Sequence, residues 1–276
     1  MKVISRGTAP EREATLLQVF LQASGYTINP DGRFGSGTEQ VLRNFQREHG
    51  LVADGVAGEK TWTTMFSLHP GLLSQMSAKW LSQQDIDRVA ADLVLELPVV
   101  RAVYSVESGG MGFYGLKPKI LFEGHVFWRE LEGRGLDPRR FTAGHTDILF
   151  QRWNPRSYVG GLAEHERLER AAAIDRPAAL RSASWGLFQI LGLHAERLNF
   201  ADVEDFVAAM TRSEGDQLAA FGGFISATRY RGRSLLDWLR AREWARFAAG
   251  YNGPGYRKNR YDEKLAEAYA KYQAQG

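Results

Sequence analysis

A short motif that occurs twice near the start of the chain constrains the fold of its N-terminal part. DGRFGSGT at 31–38 and DGVAGEKT at 54–61 share the pattern D-G-x-x-G-x-x-T, and equivalent positions are 23 residues apart. Asp-Gly pairs form turns because the Asp side chain bonds the nearby backbone and Gly adopts positive φ angles. The Thr that ends each motif is placed to cap the N-terminus of a following helix.

Apolar residues before and after the first motif recur at helical spacing. They are Leu16, Leu17, Phe20 and Leu21 before it, and Val41, Leu42 and Phe45 after it. We therefore predict a unit of three helices joined by two similar turns, which ends near Phe66.

The segment DGRFGSGTEQVLRNFQREHGLVADGVAGEKTW resembles the peptidoglycan-binding domain that often leads bacterial and phage wall hydrolases. The resemblance implies a wall-binding module at 1–68 and bacterial peptidoglycan as its partner. We interpret its Asp-Gly residues as architectural. Residues 69–82 are typical of a linker, with the turn-forming pair Pro70-Gly71 at the seam.

The apolar pattern from 83 to 276 is again mostly helical, with few alternating runs. Ser82 and Asp85 form a capping-box pattern that predicts the start of its first helix. A small sheet is expected at most somewhere in 111–125. The predicted fold class is therefore mainly α, with a three-helix module followed by a larger helical domain.

One carboxylate lies where an apolar helix meets a glycine-rich loop, in AVYSVESGGMGFYG at 102–115. Pro98 fits the first position of this helix, and the predicted end is Gly109. Glu107 then falls in the last turn, on the apolar face, where burial and the negative end of the helix dipole both raise the pKa of a carboxyl group. Such a group stays protonated near neutral pH and can act as a general acid. A purely structural hydrogen bond is the alternative interpretation.

Two later motifs complete an ordered set. SASWGLFQILG at 182–192 places a Gly and a Gln inside an apolar run, and AAGYNGPGY at 248–256 ends a helix with Tyr-Asn before Gly-Pro-Gly. Together with the Glu-Ser pair at Glu107, the motifs G-L-F-Q-I and A-x-Y-N-x-G-P-G resemble soluble lytic transglycosylases and goose-type lysozymes. The resemblance implies that Glu107 is the catalytic acid and that the other two motifs line the sugar cleft.

The whole of 83–276 is similar to the N-acetylmuramidase domain of phage endolysins of Gram-negative hosts. The added segments that suggest it are KILFEGHVFW at 119–128 and SEGDQLAAFGGFI at 213–225. In these modular proteins the catalytic domain follows the wall-binding module, as here. The resemblance implies a lysozyme-like catalytic domain that cleaves the β-1,4 bond between N-acetylmuramic acid and N-acetylglucosamine, without a catalytic Asp.

The same resemblance implies roles for other polar residues of the cleft. Glu123, next to His125 in ILFEGH, is the best candidate for a second acid or for a group that orients the catalytic acid or a water. The expected substrate-binding residues are Gln189, Tyr251, Asn252, Ser108, Trp185 and His125. Two structural alternatives stay open, Tyr251-Asn252 as a helix C-cap and Trp185 as a core residue. No cofactor and no metal are expected.

Three other functions compete with a muramidase. A zinc peptidase or amidase often accompanies a wall-binding module, but the histidines form neither H-E-x-x-H nor H-x-x-E-H, and the pair His145 and Asp147 lacks companions. A lytic transglycosylase, which leaves 1,6-anhydro-muramyl ends at the same bond, would use the same acid and stays open. A non-catalytic wall-binding adaptor would be expected to lack Glu107 or the Gln motif, and both are present.

The net charge of +3 is unevenly distributed, because residues 227–264 hold ten basic and four acidic residues. This basic tract is either a solvated helical face or a contact to the anionic wall or outer membrane, and no nucleic-acid motif accompanies it. The chain has no cysteine, and its start, MKVISRGTAPERE, has no apolar core of a signal peptide. We expect a monomer that is not a membrane protein, made in the host bacterial cytoplasm and acting in the periplasm after release.

Overall fold

A computed structural model describes residues 1–108 and 110–275. The predicted three-helix unit forms its first part, with helices α1 (Glu11–Ala23), α2 (Ser36–Glu48) and α3 (Glu59–Leu68). Phe20, Phe45 and Trp62 are buried in the core of this unit. An antiparallel bridge between Ile4 and Ala57 ties the start of the chain to the second turn.

A buried glutamine on α1 explains the first copy of the repeated motif. Gln18 donates from Nε2 to Oδ1 of Asp31 at 2.9 Å and to Oγ1 of Thr38 at 3.1 Å. Its Oε1 accepts the backbone N–H of Gly32 at 2.9 Å, where φ is +76°. The amide of one buried side chain therefore binds the turn and the helix that follows it.

The second copy is held in the same way from α2. Nε2 of Gln46 donates to Asp54 at 3.1 Å and to Thr61 at 3.3 Å, and its Oε1 accepts from the N–H of Gly55 at 2.9 Å. Both Asp-Gly turns thus have an architectural role, because their polar groups are occupied by a glutamine within the module.

The prediction that the motif threonines cap the helices was wrong. The N-cap residues are Gly35 for α2 and Gly58 for α3. Thr38 and Thr61 lie in the first helical turn and are buried against the glutamines. Each helix begins two residues before the motif threonine, so the hydroxyl lies inside the first turn and not at the N-cap position.

The segment 69–82 is packed against both parts of the chain. It contains helix α4 (Leu72–Ser77), and Met76 is buried in the core of the first module. Nζ of Lys79 donates to the carbonyl of Thr211 at 2.7 Å, in the second part. The segment therefore connects the two parts through side-chain contacts as well as through the backbone.

The second part is mainly helical, as predicted. Its helices are α5 (Gln83–Leu93), α6 (Leu97–Glu107), α7 (Gly124–Gly133), α8 (Ala163–Ala172), α9 (Arg176–Arg181), α10 (Val203–Arg212), α11 (Glu214–Ala227), α12 (Leu235–Arg240), α13 (Trp244–Tyr251) and α14 (Tyr261–Gln273). Short 3₁₀ turns lie at Pro138–Phe141, Pro155–Ser157, Gly192–His194, Glu196–Leu198 and Pro254–Asn259. The capping box at Ser82 and Asp85 is present at the start of α5.

Three small antiparallel sheets accompany these helices in the described residues. Their strands are β1 (Phe113–Tyr114) with β2 (Lys117–Pro118); β3 (Ile120–Phe122), β4 (Ala183–Trp185) and β5 (Ile190–Leu191); and β6 (Arg229–Tyr230) with β7 (Arg233–Ser234). The sheet expected in 111–125 therefore exists, but β3 pairs with a hairpin in 183–191, Leu121 opposite Ser184. Strands of two or three residues are too short to give an alternating pattern.

The helix that carries Glu107 begins at Leu97, so Pro98 is its second residue. Its last residue is Glu107, and Ser108 is the C-cap. The predicted helix end at Gly109 lies outside the described residues. Among the described helices, none combines the length and apolarity that a membrane span requires.

Candidate active site

Glu107 lies at the end of α6, where α13 and α14 close around it. Oε1 of Glu107 accepts a hydrogen bond from Nδ2 of Asn252 at 3.1 Å. Burial raises the pKa of Glu107 from 4.5 to about 7, while the Asn252 bond and the charge of Lys264 on α14 lower it by less. A carboxyl group with this pKa is partly protonated near neutral pH, which a general acid requires.

Tyr251 and Asn252 end α13, and their side chains reach other segments of the chain. The backbone N–H of Asn252 caps α13 by donating to Ala248 at 2.8 Å, while its side chain reaches Glu107. The hydroxyl of Tyr251 donates to the carbonyl of Phe188 at 3.1 Å. Burial and the nearby charge of Glu107 raise the pKa of Tyr251, so its hydroxyl keeps its proton. Tyr251 therefore ties the end of α13 to the β4–β5 hairpin.

Gln189 lies in that hairpin, with a backbone φ of +48°. Its Oε1 accepts from the hydroxyl of Ser184 at 2.9 Å, and its Nε2 donates to the carbonyl of Gly186 at 2.8 Å. A cavity of about 280 Å³ opens beside it, lined by Phe188, Gln189, Ile190, Leu191, His194, Phe224 and Tyr251. The side-chain amide thus shapes the hairpin at the edge of a cavity.

The backbone of Lys119 joins the segments that the sequence motifs mark. Its N–H donates to the carbonyl of Gly112, in the loop after Glu107, at 2.7 Å. Its carbonyl accepts the N–H of Gly186, in the hairpin that carries Gln189, at 2.8 Å. Motifs about 70 residues apart in the sequence are therefore hydrogen-bonded neighbours in the fold.

Glu123 follows β3 and directly precedes α7. Its Oε2 accepts a hydrogen bond from the hydroxyl of Tyr158 at 2.5 Å. Nδ1 of His125 lies 3.3 Å from the same oxygen, without the alignment of a hydrogen bond. Burial lowers the pKa of His125, more than the carboxylate of Glu123 raises it, so the imidazole is neutral near pH 7. Glu123 is thus held by a phenol beside a neutral imidazole.

Two aromatic residues near Glu123 were missed from the sequence. The side chain of Trp153 is exposed, with 61% of its surface accessible, and its indole N–H donates to the hydroxyl of Tyr158 at 2.8 Å. The burial of Tyr158 and its bond to Glu123 raise the pKa of this phenol. The available signal was an aromatic pair inside the polar stretch QRWNPRSYVGG, 151–161.

Two of the expected sugar contacts are core residues instead. Trp185 is 3% exposed, and its indole N–H donates to the carbonyl of Leu180 at 3.2 Å. Ser108 is 5% exposed and continues α6 through a backbone bond to Tyr104 at 3.1 Å. Neither side chain offers a surface to a polymer, so we assign Trp185 to the core and Ser108 to the helix end.

The described residues contain no group of three or more side chains that could hold a metal ion. Nδ1 of His145 contacts the carbonyl of Phe141 at 2.9 Å, and Asp147 pairs with Arg170. His165 is buried, with Nε2 2.8 Å from the carbonyl of Pro118.

Residues 96–273 match the family model of the N-acetylmuramidases. The chain belongs to the N-acetylmuramidase family. Residues 11–65 match the model of a peptidoglycan binding domain. The order of the two matches is that of a modular wall-degrading enzyme, as the sequence motifs predict.

Similarity to individual proteins points the same way. The crystal structure of the Burkholderia AP3 phage endolysin is similar over 99% of this chain and 100% of that one, with 37% identity and a TM-score of 0.66. A spore cortex-lytic enzyme of Bacillus cereus is 49% identical over 61 residues, and the N-acetylmuramoyl-L-alanine amidase CwlM of Mycobacterium tuberculosis is 42% identical over 57 residues. These matches cover 22% and 20% of this chain, and the chain spans only 23% and 14% of those two relatives.

Proposed function

We propose that the chain cleaves bacterial peptidoglycan as an N-acetylmuramidase, with Glu107 as its general acid. The observation that carries the proposal is the buried carboxyl group at the end of α6, with a pKa of about 7. Glu107 gives its proton to the glycosidic oxygen as the bond from C1 of N-acetylmuramic acid breaks. N-acetylglucosamine leaves with a free 4-hydroxyl, water adds to C1, and a proton returns to Glu107.

The positive charge that develops on the sugar ring requires a stabilising group. We assign Glu123 as a second acid or as an orienting group, because Tyr158 fixes its carboxylate. The N-acetyl group of the substrate is the other candidate for this step. Membership of the N-acetylmuramidase family favours hydrolysis over lytic transglycosylation.

The N-terminal module is proposed to bind the wall and so to raise the local concentration of substrate. Its match to a peptidoglycan binding domain supports this role. We propose that the monomer is made in the host cytoplasm and acts in the periplasm after its release.

The pH dependence of the rate tests the assignment of Glu107. A general acid must be protonated, so kcat is expected to fall as the pH rises through about 7. Because the bond from Asn252 lowers the pKa of Glu107, Asn252→Ala should move this fall to higher pH, by about half a unit or more. Asn259→Ala is the matched control, since Asn259 is exposed at the end of the 3₁₀ turn Pro254–Asn259 that follows Asn252. If the pH dependence of kcat in Asn252→Ala matched that of the wild type, the group that controls this dependence would not be Glu107.

We propose that a sugar ring stacks on the exposed face of Trp153. A lost aromatic contact of about 1 kcal/mol should raise KM for soluble glycan fragments about fivefold in Trp153→Ala. Trp153→Phe loses the N–H that binds Tyr158 but keeps an aromatic ring. Because the ring makes the proposed contact, this variant should retain a KM close to that of the wild type. Equal KM values for Trp153→Ala and the wild type would show that Trp153 does not contact the sugar.

The basic tract 227–264 is proposed to bring the enzyme to anionic envelope surfaces. The guanidinium groups of Arg231 and Arg233 lie over Tyr230 and Trp238, at 5.5 and 5.1 Å, and both side chains remain exposed. Reversal of Arg229, Arg231 and Arg233 to Glu should weaken binding to intact envelopes. The wild type should lose binding as salt rises, since screening shortens such attraction to about 8 Å at physiological salt. A triple variant that binds with the wild-type salt profile would contradict this role.

A further inference from the structure

A fully buried carboxylate, Glu214, links the two parts of the chain. It is the first residue of α11 and has no exposed surface. Its Oε1 accepts the N–H of Gly112 at 2.9 Å, and its Oε2 accepts the N–H of Leu81 at 2.8 Å and Nη2 of Arg12 at 3.3 Å. One side chain thus binds the loop after Glu107, the interdomain segment and the wall-binding module. A buried carboxylate requires such compensation because desolvation of an unpaired charge is costly.

Arg12 provides the positive charge that pairs with Glu214. It lies on α1, and its guanidinium is 5.1 Å from the ring centre of Trp80, in the interdomain segment. The side chain is 35% exposed, whereas Glu214 is fully buried. The wall-binding module therefore contributes a cation to a buried site next to the catalytic loop.

Gln217, one turn later on α11, holds the same loop from its other side. Its Nε2 donates to the carbonyl of Gly112 at 3.4 Å and to Met210 at 2.8 Å. Its Oε1 accepts the N–H of Leu187, in the β4–β5 hairpin, at 2.8 Å. Glu214 and Gln217 together bind both polar groups of the Gly112 backbone.

A side chain at either of two glycines of the loop would displace neighbouring side chains. A Cβ on Gly112 would lie 2.1 Å from Oε1 of Gln217. A Cβ on Gly110, where φ is +104°, would lie 2.8 Å from Oε2 of Glu11 on α1. The segment that follows Glu107 is therefore packed between the wall-binding module and α11.

We propose that the wall-binding module positions the catalytic loop through Arg12 and Glu214, in addition to binding the wall. Both are positioning residues, because they act on the segment after Glu107 through the backbone of Gly112. The inference rests on the proposed role of Glu107 as the acid. It differs from simple tethering, since tethering affects only the concentration of insoluble substrate.

The test compares full-length Arg12→Ala, Arg12→Lys and Arg47→Ala on soluble glycan fragments and on sacculi. Arg12→Ala should lower kcat about tenfold on both substrates, because misplacement of a catalytic segment affects turnover itself. Arg12→Lys should keep a higher kcat than Arg12→Ala. Arg47→Ala is the matched control, since Arg47 is exposed on α2 and its side chain bonds Asn44 within that helix.

The pH profile and the pattern of hydrogen exchange along the chain separate a positioning role from a general loss of stability, because a general loss speeds exchange in the core as well. The groups that act on Glu107 are Asn252, Tyr251 and Lys264. A loosened loop should admit water to Glu107 and so weaken the effect of burial, which moves the fall of kcat to lower pH in Arg12→Ala. Amide exchange in 110–116 should be faster in that variant and unchanged in Arg47→Ala. Thermal melts of the same samples verify that each variant is folded.

A folded Arg12→Ala with wild-type kcat on fragments and wild-type exchange in 110–116 would overturn the inference, and so would a loss confined to sacculi. If Arg12→Ala does not fold, Arg12→Lys carries the same comparison. The exchange measurement needs no activity. It therefore tests whether Arg12 and Glu214 position the loop even if Glu107→Gln stays active and the proposed acid is refuted.

Discussion

Glu107→Gln is expected to lower the rate of wall lysis to the bottom of the measurable range. General acid catalysis typically contributes on the order of 10²- to 10⁴-fold, and a single acid should reach or exceed the upper figure. Gln keeps the volume of the side chain and can still accept the bond from Asn252, but it has no proton to give to the leaving oxygen. The measurement is the initial rate of turbidity reduction on permeabilised cells.

Glu166→Gln is a suitable control for this experiment, because Glu166 is exposed on α8. It should keep the wild-type rate. Glu123→Gln should be milder than Glu107→Gln, unless Glu123 is the partner acid of the reaction. A Glu107→Gln protein that folds normally and keeps more than about a tenth of the wild-type rate would refute the assignment, given how much of the barrier the acid has to remove.

The same substitution should stabilise the folded protein above neutral pH. Burial raises the pKa of Glu107 from 4.5 to about 7 in the folded chain, so its anion is disfavoured by folding. The free energy of unfolding is therefore unaffected by this group below about pH 4.5, and falls as the pH rises towards about 7. The full cost is about 3 kcal/mol, at about 1.36 kcal/mol for each unit of pKa.

Gln does not ionise and avoids this cost. Glu107→Gln should melt at the same temperature as the wild type at pH 4, and several degrees higher at pH 8. Melting curves of both proteins across this range, with Glu166→Gln as the control, measure the difference. A constant offset between Glu107→Gln and the wild type at every pH would show that Glu107 titrates as an exposed carboxyl group does.

Local sequence patterns predicted the parts of the fold that depend on neighbouring residues. The Asp-Gly turns, the three-helix unit and the helix that carries Glu107 in its last turn were all predicted, because turn chemistry and apolar spacing are local signals. Gln18 and Gln46, which bind those turns, carry no such signal. Their role depends on a buried amide that meets a backbone turn 14 residues away for Gln18 and 9 residues away for Gln46.

The candidate site shows the same division. Glu107 was proposed from its place in a helix and Asn252 from a motif resemblance, and the structure joins the two side chains by a hydrogen bond. The bond from Tyr158 to Glu123, and the bond from Trp153 to Tyr158, were missed, because Tyr158 lies 35 residues from Glu123 in an irregular loop. Trp185 was misassigned, since a tryptophan beside Gly-Leu-Phe has the same sequence pattern in a core strand as in a sugar cleft.

Mass spectrometry of the muropeptides released from purified sacculi tests the proposed reaction most directly. A muramidase that uses water leaves products with a reducing N-acetylmuramic acid, and we expect these to account for nearly all new chain ends. If most new chain ends were 1,6-anhydro-muramyl ends, the reaction would be transglycosylation at the same bond and not hydrolysis. Reducing N-acetylglucosamine ends would contradict the bond assignment, and with it the proposal that Glu107 protonates the oxygen leaving N-acetylmuramic acid.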